Sequence, residues 1–166
     1  MLHAMPRKKS WLTLNPPWAI VDGGVEVAEV KFDAFSGKAE LLVDGLTYQA
    51  CVKGFWSPAY VLELDGSVLA QAEKPKFLSS QHAITCAGGK RFSLKQPFLK
   101  HGYELLDGGQ TVGRIFTEGF WGTTIVIDLP GEIPIPVQAF MFWLVRTFWD
   151  QDQQHNQTNH PGNAPG

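Results

Sequence analysis

A chain of 166 residues with 44% apolar and 12% aromatic side chains is long enough to bury one core and too apolar to remain disordered. Its net charge of −2 excludes the strongly basic balance of a general nucleic-acid binder. Two cysteines, Cys51 and Cys86, make no disulfide framework, and neither they nor the five scattered histidines show metal-ligand spacing. The cysteines are read as small buried hydrophobes of a reducing, cytoplasmic compartment, with no metal or cofactor.

Residues 1–18 carry Arg7, Lys8 and Lys9 and then Pro16–Pro17. Their apolar residues never form the unbroken run of a secretory signal, and the segment is predicted to be a flexible arm that lays Trp11 or Trp18 on the domain. Residues 19–150 are predicted to be one barrel domain. From Ile20 to Pro130 short apolar or alternating runs are broken by Asp22–Gly23, Ser36–Gly37, Asp44–Gly45, Asp65–Gly66, Gly88–Gly89 and Asp107–Gly108. Asp-Gly and Gly-Gly accept the positive φ of tight hairpin turns. The flanking runs Lys38–Val43, Tyr60–Leu64, Val68–Glu73, Phe92–Leu94, Tyr103–Leu106, Thr111–Phe116 and Thr124–Leu129 read as strands. Turns this frequent, with no helical period between them, give an antiparallel meander closed into a barrel or sandwich.

Two segments echo each other: GFWSPAYVLELDGSV at 54–68 and GFWGTTIVIDLPGEI at 119–133. The shared spacing predicts a duplication, two similar barrel halves in which each Gly-Phe-Trp starts a strand and Trp56 and Trp121 occupy equivalent places. Glu63 and Asp128 then fall at corresponding solvent-face positions rather than forming a catalytic carboxylate pair.

After Pro134 the pattern changes. Ala139–Val145 contains no polar residue, so no face of this segment tolerates water. It is too short and too soon interrupted, by Arg146 and Asp150, to cross a bilayer. The reading is a core helix over 136–149, Pro136 in its first turn, with Phe140, Met141, Phe142, Trp143, Leu144 and Val145 buried and Arg146 paired with Asp150 at the exit. Residues 151–166 are polar, rich in Gln and Asn, and are predicted to be a disordered tail in which His155 and His160 are solvated.

No nucleophile elbow, phosphate-binding loop, dinucleotide fingerprint or zinc-protease motif occurs, and His82 and His101 have no nucleophile at informative spacing. The residues most suited to a ligand are basic: Lys74 and Lys76 around Pro75, Lys90 and Arg91 at the Gly88–Gly89 turn, and Lys95. Brought to one end of the barrel they would form a cationic rim for phosphate head groups.

Many short strands, weak internal repetition and an all-apolar helix near the C-terminus resemble the tubby C-terminal-like superfamily, which includes the tubby proteins, the phospholipid scramblases and the LURP-one-related proteins. The resemblance covers roughly residues 20 to 150, and its most local element is Gln138-Ala139-Phe140 opening the helix. It implies a closed antiparallel barrel of about twelve strands around a central hydrophobic helix, mainly β, with a tilt toward lipid or membrane-surface recognition. The acidic calcium segment of the scramblases has no counterpart here, and the phosphoinositide motif of the tubby proteins cannot be placed. The expected function is a non-catalytic binding or scaffolding module, with anionic phospholipid or an unidentified protein as partner, no nucleic acid and no membrane span. The alternative is a lipocalin-like carrier of a small apolar ligand, which requires the helix to lie outside the barrel.

Overall fold

The turn residues set the architecture. Asp44–Gly45 and Asp65–Gly66 both hold positive φ at each position (49° and 76°; 49° and 80°), the two-residue geometry that twists one strand directly back along its neighbour. A computed structural model describes residues 1–7, 15–33, 36–74, 81–97, 102–118 and 124–158, with side chains to 154. Twelve strands follow in chain order: β1 (Leu2–Pro6), β2 (Trp18–Asp22), β3 (Val25–Phe32), β4 (Ala39–Val43), β5 (Leu46–Lys53), β6 (Ala59–Leu64), β7 (Ser67–Glu73), β8 (Gln81–Cys86), β9 (Arg91–Lys95), β10 (Gly102–Asp107), β11 (Gln110–Glu118) and β12 (Thr124–Asp128). Every strand is antiparallel to its chain neighbours. Because β1 pairs with both β12 and β2, the barrel closes without a free edge.

A helix, α1 (Ile135–Thr158), occupies the lumen. Residues 139–145 are at most 1% exposed on every side of the helix. The even strands turn Ile20, Leu41, Leu62, Ile84, Leu105 and Ile127 into the same apolar cluster. The odd strands add Leu2, Val30, Ala50, Ala72, Leu94 and Ile115. A segment apolar all round has been given an apolar wall all round. Pro136 stands in the first turn, where its missing N–H costs nothing. The Gln138 side-chain amide donates to the Ile133 carbonyl (2.7 Å) and so anchors the entry.

The structure corrects the sequence reading at both termini. Leu2–Pro6 is a barrel strand and not part of a flexible arm. Leu2 and Ala4 are buried, and without them β12 and β2 would each expose a row of backbone donors and acceptors. Trp18 begins β2 and packs on Phe142 (5.5 Å), while Trp11 lies outside the described residues. The helix passes Asp150 and runs to Thr158, with residues 151–154 exposed. Extending a helix whose first turns are already fixed by packing needs only one more bond per residue, which polar Gln and Asp supply.

The internal repeat also takes a different form. β6 and β12, which carry the echo, do lie on opposite sides of the barrel. The pairing register, however, repeats three times. Ile20 faces Ala28, Leu62 faces Ala70 and Leu105 faces Gly113, and in each hairpin the register shifts immediately afterwards. In all three a large fully buried residue is set against a small one, ahead of a tight turn. At Gly113 even a Cβ would come within 2.6 Å of the Asp128 carbonyl oxygen. Four-strand units β2–β5, β6–β9 and β10–β12 result, and β1 completes the third from the far end of the chain.

Candidate binding surface at the loop end of the barrel

Because chain order is also the order around an antiparallel barrel, successive connections alternate between its two ends. One end holds the short turns β2–β3, β4–β5, β6–β7, β8–β9 and β10–β11, with Asp22, Asp44, Asp65 and Asp107 at their corners and Glu132 in the approach to α1. The other end holds the longer connections β1–β2, β3–β4, β5–β6, β7–β8, β9–β10 and β11–β12. Its described residues include Arg7, Lys38, Lys53 and Lys74. The sequences joining these strand ends also contain Lys8, Lys9, Lys76 and Lys100, with Trp11, Phe35, Phe77, Phe98, Phe120 and Trp121. Asp33, Glu73, Glu118, Asp150 and Asp152 stand at this end as well, so among the described residues the loop end carries both signs, whereas the turn end is mainly acidic.

Phe55 and Trp56 stand on the β5–β6 connection, 89% and 94% exposed. They do not begin a strand, as the echo suggested: β6 starts only at Ala59. Gly54 holds φ at +87°, and a Cβ there would meet the Ser57 carbonyl oxygen at 2.9 Å, so glycine is what allows this turn. The turn throws both rings outward, where they meet edge to face with centroids 5.5 Å apart. The corresponding Phe120 and Trp121 lie outside the described residues, so the equivalence of Trp56 and Trp121 does too. Lys53 precedes the tip and is tied to Glu63 on β6; that bond is the first cause of the rise in its pKa. Lys38, at the head of β4, and Lys74, at the foot of β7, are exposed on the adjoining strands and make no ion pair among the described residues.

Below this rim, Phe148 at the exit of α1 closes the lumen. It stacks on His82 (4.2 Å between ring centres) and meets Tyr60 edge-on and Tyr103 at a tilt. Burial pushes the Tyr103 phenol up, and burial followed by the charge of Lys74 lowers His82 to about 4. The ring is therefore neutral and packed, which makes it a seal and a poor general base at neutral pH. Arg146, its guanidinium over the Trp18 ring (5.2 Å), bonds Asp150 at 3.3 Å as expected. Pro6, Trp18, Phe32, Arg146 and Asp150 line a shallow cleft of about 280 Å³ beside the helix exit.

The basic rim read from the sequence is divided. Lys74 and Lys95 close strands at the loop end, whereas Lys90 and Arg91 flank the β8–β9 turn at the opposite end. Hairpin connectivity forces this: a β8–β9 turn and the β7–β8 connection leave opposite ends of β8. Lys90 is further engaged with Glu132 (3.4 Å) and Asp107 (4.0 Å). Lys76 lies outside the described residues, as do His101 and His160 and the His155 side chain. Glu63 and Asp128 sit on strands across the barrel from each other, one tied to Lys53 and the other opposite Arg114, and share no site. Cys51 and Cys86 are unpaired and half-buried, and burial raises the Cys86 thiol. Among the described residues no three His, Cys, Asp or Glu side chains are grouped to hold a metal.

Phe55, Trp56, Lys38 and Lys53 escaped the sequence-based site. Their signal was present in Gly54-Phe-Trp-Ser-Pro58: two aromatics bracketed by Gly and Pro, with no alternation to seat them in a strand. No helix among the described residues is long and apolar enough to cross a membrane. No family model, curated protein or solved structure matches this chain.

Proposed function

We propose that this chain is a non-catalytic recognition module that presents the loop end of its barrel to an anionic phospholipid surface. The observation that carries the reading is the exposed Phe55–Trp56 pair with Lys38 and Lys74, which make no ion pair among the described residues, on the adjoining strands. Aromatic rings settle at the headgroup boundary, and each lysine near an anionic leaflet adds roughly 1 kcal/mol. Kinship with the tubby C-terminal-like superfamily belongs to the same reading, supported by twelve strands around an apolar helix. So does a cytoplasmic, reducing location, supported by the free thiols. The carrier alternative is weakened because α1 fills the space that an apolar ligand would need.

Sedimentation of the full chain with phosphatidylcholine vesicles, with and without phosphatidylserine, tests the reading. Binding is expected to need the anionic lipid and to weaken from low to physiological salt. Lys38→Glu with Lys74→Glu is expected to abolish it, and Lys90→Glu with Arg91→Glu to leave it nearly unchanged. Equal partition to both vesicle types, or the reverse dependence on these lysine pairs, would overturn it.

A further inference from the structure

We infer that Phe55 and Trp56 form an interfacial anchor that enters the headgroup layer of an anionic bilayer, with the molecule tilted onto the β4–β7 edge of its rim; this rests on the membrane reading above. Two large aromatic side chains left almost wholly in water hold apolar area in reserve that only a partner can bury. They are held ready for it. The Gly54 turn fixes the tip, and the edge-to-face contact of the rings restrains their rotamers, so little ordering remains to be done on docking. Lys38 heads β4 next to β5 and Lys74 ends β7 next to β6, so a cationic side chain stands on each side of the rings, while Lys53 beside the tip is held by Glu63. Lysine ammoniums beside a Phe-Trp pair match a layer of phosphates over acyl chains, and the flexible lysine stems can reach up while the rings go down.

The tilt follows from the helix. α1 leaves the lumen at this same end, and Gln151, Asp152, Gln153 and Gln154 are exposed beyond it. Polar helix standing out from the loop end forbids flat docking of the whole rim. Docking on the β4–β7 edge lets the rings enter and keeps the helix end in water.

The experiment uses the full chain and the same vesicles. Phe55→Ser with Trp56→Ser removes side chains that contact little else, so the melting temperature is expected to be unchanged while partition to anionic vesicles falls about tenfold or more. Trp56→Phe is expected to keep most of the binding. Bromine-labelled acyl chains are expected to quench part of the wild-type tryptophan fluorescence on binding, and Trp56→Phe to lose that part. Unchanged partition of the double serine variant, or equal quenching of wild type and Trp56→Phe, would overturn the anchor while leaving membrane binding standing. Failure of the wild type to bind either vesicle would overturn both readings.

Discussion

His82 shows how far one ring's surroundings can decide its chemistry. It is the charged form that burial against Phe148 and Tyr60 penalises, and Lys74 adds to the penalty. With a folded pKa of about 4 below the ordinary 6.5, the unfolded chain takes up the proton first. Stability is therefore full above the ordinary value and is lost as pH falls from about 6.5 toward 4. For a half-buried ring the loss is about 1–2 kcal/mol once solvent screening is allowed for. Urea midpoints measured at pH 7 and pH 5 are expected to fall accordingly for the wild type, and His82→Leu is expected to remove most of the difference. A variant as pH-sensitive as the wild type would place the titration elsewhere. Nothing in the local sequence Gln-His-Ala-Ile announces this environment, because Phe148 and Tyr60 come from distant parts of the chain.

Elements were legible where the side chains alternate and where Asp-Gly forces a turn. β4, β6, β7, β9, β10, β11 and β12 can be read to within a residue or two. β3 is less visible because Glu26, Glu29 and Lys31 break its apolar run; Lys31 pairs with Glu29 along the strand at 3.1 Å, and the closed barrel adds Arg7, which bonds Glu26 at 2.5 Å and Glu29 at 2.8 Å. β1 was missed for a related reason. Leu2-His-Ala-Met-Pro6 is short and polar enough to pass for an arm, and its worth lies in the two strands it joins. Arg7 then staples its end across β2 to β3, and the Arg7 amide donates to the Pro17 carbonyl at 2.8 Å. Deleting residues 1–7 is expected to unpair both β12 and β2 and to give aggregation or loss of cooperative melting, whereas ending the chain after Asp150 is expected to change the midpoint little. Calorimetry of the two truncations checks the contrast. A cooperative melt of the shortened N-terminus near the wild-type temperature would contradict the closure.

At the scale of the whole molecule, the sequence yielded the barrel and its filling but not its polarity. Basic residues scattered along the chain were assigned to one rim because spacing alone cannot tell the two ends of a hairpin apart. Strand parity can: Lys74 follows an odd strand and Lys90 follows an even one. The same parity puts the Phe55–Trp56 tip at the end that holds Lys38 and Lys74.

The closure of the third unit by β1 has a further consequence, for how the chain is made. β1 leaves the ribosome long before β12, one of its two partners, and before the helix that fills the lumen. Most of the sheet can pair as it appears, hairpin by hairpin, but its wall has nothing to enclose until residues 135–149 are free. Such a chain should enclose its core only once α1 has left the ribosome. Nascent chains stalled with α1 still inside the ribosome are expected to be cleaved readily by a protease, and chains with α1 exposed to become resistant. Resistance acquired before α1 emerges would show that the strands can close on an empty centre and admit the helix afterwards.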